Sequence, residues 1–386
     1  MAAGRRILLA YLVYFAALGA AFPYLPVFYH GLGLTLAEIG LLTAIQAAIQ
    51  LVLAPIWGGL ADRFPGTGLT LPMAAAVATI GAMILFLASD VPTVFAGSFV
   101  LYAGLAGIGP TLDARTLETL GSEGRSRYGQ VRAFGSVAFV VATVAVGFVL
   151  DIGGARSLFW VYLPFLFATV LVTATIPRRG TTRSLNLMRG AWEFLSGSGM
   201  AIFLVGFVIV WAALSAVNAF YSIQIIALGG SSGLVGIAWA VGAAIEAPYM
   251  YVFPRVAGRF GTERLVVLGS AAFALRAILA AVITDPIGLV LIGPLEGLGF
   301  ASVFVGGVTV VAARAPAGMG GTAQGLFAAS TGLATILGSA LGGAVAGVLG
   351  IPGLFMVCGA VSLVGAAIVG IALLGPRNTA RIARPR

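Results

Sequence analysis

The stretch GGLADRFPGTG, residues 58–68, is a short glycine-rich segment that carries one acidic and one basic residue. Long apolar runs lie on both sides of it, at roughly 37–60 and 70–88. A helix that crosses a bilayer needs about 20 mostly apolar residues. Residues 58–68 are therefore predicted to form a tight connection, on one face of a membrane, between two spanning helices.

Long apolar runs separated by short polar connections continue along the whole chain. Of its 386 residues, 60% are hydrophobic and 9% are charged, and the mean hydropathy is +1.09. A soluble domain carries about 25% charged residues, so most of this surface must face lipid. Twelve apolar runs are visible, most of them longer than the roughly 9–11 residues of a barrel strand. They lie at 7–29, 37–60, 70–88, 92–112, 131–150, 157–176, 200–226, 232–254, 265–284, 287–312, 322–348 and 351–374.

The runs fall into two groups of six, separated by an Arg-rich stretch. This plan predicts an all-α membrane protein with twelve transmembrane helices in two pseudo-symmetric six-helix bundles. The bundles are residues 1–176 and 200–374, with a cytoplasmic linker at 177–199 and a cytoplasmic tail at 375–386. An internal repeat agrees with this division, because Arg63 and Phe64 follow the second run as Arg259 and Phe260 follow the eighth. Parallel repeats of this kind are a transporter architecture.

The orientation follows from the basic residues, which give the chain a net charge of +9. All but two of its 21 basic residues fall in the termini or the even-numbered connections, the exceptions being Arg156 and Arg276. Short cytoplasmic loops carry the excess of positive charge. The sequence therefore predicts a multi-pass protein of the cell membrane with both termini in the cytoplasm.

Residues Gly59, Leu60, Ala61, Asp62 and Arg63 resemble the loop signature of the major facilitator superfamily. The basic residues that usually follow are replaced by residues 65–68, so the resemblance is to the first part of the motif. It implies the twelve-helix major facilitator fold and a role in gating for this loop. The alternative without a gating role is a solvated turn at a helix end.

A finer resemblance is carried by three segments: FPYLP at 22–26, GLTLAEIGLL at 33–42 and YGQVRAFGS at 128–136. They are similar to the lactose-permease and phenylpropionate-permease branch of the superfamily. That resemblance implies a secondary transporter that takes up a small organic solute by alternating access, with proton symport. Two alternatives stay open: a proton-driven efflux antiporter for drugs or metabolites, and a non-transporting membrane sensor or intramembrane enzyme.

Three charged residues lie near the middle of predicted spans: Glu246, Arg276 and Glu296. Each costs about 2.5–3.5 kcal/mol at the bilayer centre on insertion scales, so they should face inward and pair. One arginine balances one of two carboxylates, and the other carboxyl should then hold a proton. These three residues are the predicted proton-coupling site. The alternative is a static ion pair that fixes helix packing.

Other polar residues suggest gates and a cavity. Asp62, Arg63, Asp113 and Arg132 lie at predicted cytoplasmic helix ends and are expected to form gate contacts, with Asp113 or Glu118 facing Arg63 and Asp62 facing Arg132; ordinary surface ion pairs are the alternative. The predicted substrate-cavity residues are Gln46, Gln50 and Asn218, for which interhelical hydrogen bonding is the alternative.

Enzyme and cofactor chemistry finds little support in the sequence. His30 and Cys358 are single residues of their types, which leaves no set with metal-ligand spacing and no disulfide within one chain. No lysine is present to complete a phosphate-binding loop. We therefore expect no metal, no cofactor, no nucleic-acid partner and no enzymatic activity. The expected partners are a small-molecule substrate, protons and the lipid bilayer, and the expected state is a monomer.

Overall fold

The computed structural model describes residues 2–63, 68–124, 128–176, 199–315 and 320–375, and within these ranges every regular element is helical. The helices of the first half are α1 (Ala2–Ala21), α2 (Leu25–Gly31), α3 (Leu36–Arg63), α4 (Thr70–Leu87), α5 (Val91–Gly124), α6 (Tyr128–Gly153) and α7 (Leu158–Ala174). Those of the second half are α8 (Met200–Ala227), α9 (Ser232–Phe260), α10 (Thr262–Val282), α11 (Pro286–Leu291), α12 (Gly293–Phe300), α13 (Gly306–Arg314) and α14 (Gly320–Leu374).

Eleven stretches of the described chain are long and apolar enough to cross a membrane. The last of them, Thr322–Leu374, has 53 residues, more than twice the length that one crossing needs. Its helix is broken at Gly350, which adopts φ 70° and ψ 172°. A glycine tolerates this backbone conformation because it has no Cβ atom. Division at Gly350 gives two passes, so the described helices fit the twelve predicted ones, and the predicted all-α membrane fold is confirmed.

Two predicted spans are not single helices. The first is interrupted after Ala21 and resumes as α2 at Leu25. The tenth consists of α11, α12, a five-residue π-helical segment at Ala301–Val305, and α13. Apolar composition does not reveal such interruptions, because both runs remain mostly apolar across the breaks.

The described residues belong to two compact units, one within Met1–Arg183 and Ile225–Ala240, the other within Ser184–Gln224 and Val241–Arg386. Helix α9 thus contributes its first nine residues to the first unit and its remainder to the second. The division into bundles at 1–176 and 200–374 stays a prediction.

Glycines allow close helix crossings inside each unit. A Cβ atom on Gly104 of α5 would lie 2.2 Å from the backbone nitrogen of Ala78 on α4. In the second unit, a Cβ atom on Gly338 of α14 would lie 2.0 Å from the carbonyl oxygen of Ala212 on α8. Helices in lipid associate through close packing of small residues, so these contacts hold each unit together.

We expect the substitution Gly104→Val to destabilise the first unit by roughly 1–3 kcal/mol, because a branched side chain cannot enter this crossing without moving α4. Gly258→Val is the matched control, since Gly258 is also helical and a Cβ atom there meets nothing within 4 Å. Thermal unfolding of the purified variants in detergent measures the difference. Equal midpoints for the two variants would contradict the close crossing.

Candidate functional site

Arg276 lies on α10 in the second unit, and its side chain is 2% exposed. Its Nη2 atom is 2.9 Å from Oε2 of Glu296 on α12. A buried arginine requires an acceptor and an opposite charge, since a lone ion in a low-dielectric interior is strongly disfavoured. Two of the three predicted proton-coupling residues therefore form one buried ion pair.

Asn218 on α8 closes this pair into a ring. The Arg276 Nη1 atom donates to Asn218 Oδ1 over 3.0 Å, and Asn218 Nδ2 donates to Glu296 Oε1 over 2.9 Å. An amide side chain can accept and donate at once, which suits a position between a guanidinium and a carboxylate. Asn218 was predicted for the substrate cavity, whereas its geometry ties it to the charged pair.

Tyr221, one turn after Asn218 on α8, encloses the guanidinium from another side. The Cζ atom of Arg276 lies 4.3 Å from the centre of the Tyr221 ring. A cation over an aromatic face gains roughly 2 kcal/mol when it is desolvated. The Tyr221 hydroxyl donates to the carbonyl oxygen of Leu289, which fixes the ring. The Arg276 Nε atom, by contrast, finds no hydrogen-bond partner among the residues that the structure describes.

Glu296 is the more accessible member of the pair, with a side chain that is 13% exposed. It stands in the first turn of α12, directly before Gly297. A Cβ atom on Gly297 would lie 2.5 Å from the carbonyl oxygen of Gly242 on α9, so α12 and α9 touch here through their backbones. The π-helical segment begins five residues after Glu296, and such segments are frequent at functional sites.

Glu246, the third predicted coupling residue, lies on α9 and is half-buried. Its backbone nitrogen would be 2.7 Å from a Cβ atom on Gly297, the residue next to Glu296. The backbone of Glu246 thus borders the same crossing of α9 and α12. All three predicted coupling residues lie on neighbouring helices of the second unit.

The predicted gate residues are arranged differently from the expected pairs. Arg132 Nη1 lies 3.5 Å from Asp113 Oδ2, with side chains 53% and 35% exposed, and the Tyr11 hydroxyl donates to Asp113 Oδ1. The contact shown for Asp113 is therefore with Arg132, where the sequence suggested Arg63. Arg63 ends α3 and is exposed. The side chains of Asp62 and Glu118 lie outside the described residues.

The remaining cavity candidates lie on α3, where Gln46 is half-buried and Gln50 is exposed. Two residues that complete the charged site escaped sequence-based prediction. Tyr221 carries no charge, and the Leu289 carbonyl is a backbone group. Only Tyr221 leaves a signal in the sequence, as an aromatic residue three positions after Asn218 in the same span. That signal becomes informative once a buried arginine is known to need a neighbour.

The fold is that of solved membrane transporters. The structure is similar to that of the nucleoside transporter NupG, with a TM-score of 0.85, 16% identity and full coverage of both chains. It is also similar to a bacterial homologue of the human lysosomal transporter Spinster, with a TM-score of 0.74 and 15% identity, covering 98% of this chain and 97% of that one. At these identities the likeness defines the fold alone.

Sequence comparison gives the family. Residues 5–357 match the family model described as MFS_1 like family, and the chain belongs to that family. It is 30% identical over 275 residues to the maltose permease of Geobacillus stearothermophilus, covering 69% of this chain and 68% of that protein. It is 27% identical over 267 residues to the probable 3-phenylpropionic acid transporter of Escherichia coli K12, covering 63% of this chain and 64% of that transporter. The resemblance predicted from the sequence motifs is confirmed, and the chain is a transporter of permease type, not an enzyme.

We expect Arg276→Met to destabilise the protein by about 3–5 kcal/mol, because Glu296 is then left without its partner in a buried site. The double variant Arg276→Met with Glu296→Gln should regain most of that loss, since neither partner is then charged. Thermal unfolding in detergent at neutral pH measures both. A double variant as unstable as the single one would contradict mutual charge compensation.

Proposed function

We propose that this chain takes up a small organic solute by proton-coupled symport, with Glu296 as the residue that carries the proton. The observation that supports this role is the unequal burial of the two side chains in the ion pair. Arg276 is almost fully enclosed, whereas Glu296 retains access. A proton that arrives on Glu296 therefore changes the net charge of a site whose positive member stays in place.

Asn218 and Tyr221 make that change possible without expelling Arg276. When Glu296 is protonated, the Arg276 guanidinium loses its counter-charge. It keeps the Asn218 Oδ1 acceptor at 3.0 Å and the Tyr221 ring at 4.3 Å. Both interactions stabilise a cation without taking up a proton. The site thereby has two charge states that differ by one proton on Glu296.

Glu246 is proposed as the second carboxyl of the coupling site. It lies on α9 at the crossing where α9 touches α12, next to the residue that follows Glu296. The Glu246 carboxyl is proposed to exchange a proton with Glu296 across this crossing. Arg276, Glu296 and Glu246 then share two negative charges, one positive charge and one mobile proton.

The gate residues are proposed to act at the cytoplasmic side of the first bundle. Asp113 and Arg132 form the contact that the structure describes, and Tyr11 supports the Asp113 carboxylate. Because both charged side chains are partly exposed, the pair is weak and can open at little cost. Asp62 and Arg63 are proposed to serve the same gate from the signature loop.

We further propose that the two six-helix bundles alternate access to the solute, that both termini lie in the cytoplasm and that the protein is a monomer. Gln46 and Gln50 are proposed to contact the solute from α3. The named relatives transport or are thought to transport different solutes, among them maltose, 3-phenylpropionic acid and nucleosides. The proposed substrate class is accordingly a small organic solute of sugar or organic-acid size.

Glu296→Gln is expected to lower the accumulation of solute driven by a pH gradient at least about tenfold. Exchange of labelled for unlabelled solute should continue. Glutamine keeps the hydrogen bond from Asn218 but cannot bind or release a proton. Uptake into proteoliposomes, with and without an imposed inward proton gradient, measures both activities. A screen of sugars, nucleosides and aromatic acids by thermal shift supplies the test solute.

Glu263→Gln is the matched control, because Glu263 at the start of α10 also contacts an arginine, Arg314, at 3.7 Å. It should accumulate solute as the parent does. Undiminished accumulation by Glu296→Gln would rule out the proposed role of Glu296. Proton-driven export in place of uptake would establish the antiport alternative.

A further inference from the structure

The beginning of α9 is held by a carboxylate from another helix. Asp151, near the end of α6, accepts a hydrogen bond from the backbone N–H of Ser232 at 2.7 Å through Oδ1. Its Oδ2 atom accepts one from the N–H of Gly233 at 3.0 Å. The first turn of a helix has N–H groups without internal partners, and an acidic cap usually comes from the same chain segment. Here 81 residues separate the cap from the helix that it caps.

The seam beneath this contact is closely packed. A Cβ atom on Gly236 would lie 2.6 Å from the Tyr24 hydroxyl and 2.7 Å from the Thr143 carbonyl oxygen. A Cβ atom on Gly147 of α6 would lie 2.6 Å from the Ser232 carbonyl oxygen. One turn deeper, the rings of Phe22 and Trp239 meet edge to face at 5.3 Å.

Tyr24 joins both sides of the seam. Its hydroxyl donates to the Thr143 carbonyl oxygen on α6 at 2.5 Å and lies 3.5 Å from the Ser232 carbonyl oxygen on α9. These contacts explain why residues 225–240 belong to the first unit, whereas the rest of α9, from Val241 onwards, belongs to the second. The seam is thus a property of the first unit as the structure describes it.

We propose that Asp151 is a positioning residue of the transport cycle, a latch that holds the start of α9 against α6 and is released once per cycle. The inference rests on the proposed alternating access. Chain order places α9 in the second six-helix bundle and α6 in the first, and the bundles must part at this end to open it. By the distribution of arginines this end faces the outside.

The two bonds to the Asp151 carboxylate suit a reversible latch. The bond to Ser232 is exposed and the bond to Gly233 is part-buried, so water can reach the carboxylate and replace both bonds when the helices separate. Asp151→Asn keeps one oxygen acceptor and should weaken the latch partly, whereas Asp151→Ala removes both acceptors. Asp90 offers a matched control, because it accepts from the N–H and the hydroxyl of Thr93, both at 2.8 Å, within the start of its own helix.

The latch is tested first by amide exchange, which needs no substrate. Deuterium uptake by a peptide covering residues 231–236 is measured by mass spectrometry in lipid nanodiscs. Loss of a helix cap predicts a roughly 2- to 30-fold faster exchange in Asp151→Ala, with a smaller increase in Asp151→Asn. Asp90→Ala should leave this peptide unchanged. Equal exchange in Asp151→Ala and the parent would overturn the contact.

A second experiment tests whether the seam must open during transport. In a Cys358→Ser background, the substitutions Asp151→Cys and Ser232→Cys place two thiols across the seam. Oxidation should cross-link them and stop solute exchange, and reduction should restore it. Failure to cross-link, or undiminished exchange by the cross-linked protein, would overturn the proposal. If the reduced parent transports no solute, the proposed function fails instead, and the amide exchange still decides the contact.

Discussion

The enclosure of one guanidinium constrains how three helices of the second unit pack. Arg276 is 2% exposed within a chain that is 9% charged, and a cation in such surroundings must be matched from several directions at once. Glu296 supplies the charge, Asn218 supplies an acceptor, and Tyr221 supplies an aromatic face. Two helices, α8 and α12, contribute these groups around Arg276 on α10, so the three helices must pack with these side chains in register. The cost of burying charge thereby becomes a determinant of helix arrangement.

The unequal burial of this ion pair supports the proposed role of the site in coupling. An ion pair that only fixes helix packing needs no solvent access to its carboxylate, and its buried donors are normally all satisfied. Here the carboxylate is the accessible partner, and the Arg276 Nε atom lacks an acceptor within the described chain. These two features support the proposal that the site tolerates a change of charge on Glu296, with Asn218 and Tyr221 continuing to stabilise the cation.

The sequence predicts the spanning helices and the pairing of Arg276 with Glu296, and the reason is physical. A spanning run is a local property of about 20 residues, and an intramembrane charge is conspicuous because it is costly. The break at Gly350 and the π-helical segment after Glu296 escape prediction, because apolar composition is the same in a regular and an interrupted helix. The ring through Asn218 and the bond from Asp151 to α9 depend on helix rotation and on contacts between distant segments, which one sequence does not specify.

The most direct measurement of the central claim is infrared difference spectroscopy of the purified transporter on addition of its solute. Protonation of a buried carboxylate replaces its carboxylate bands with a carboxylic-acid carbonyl band. The account predicts that such a band changes when solute binds and that the change is absent from a Glu296→Gln variant that still binds solute. An identical carbonyl difference band in the parent and that variant would show that the proton resides elsewhere and would contradict the account.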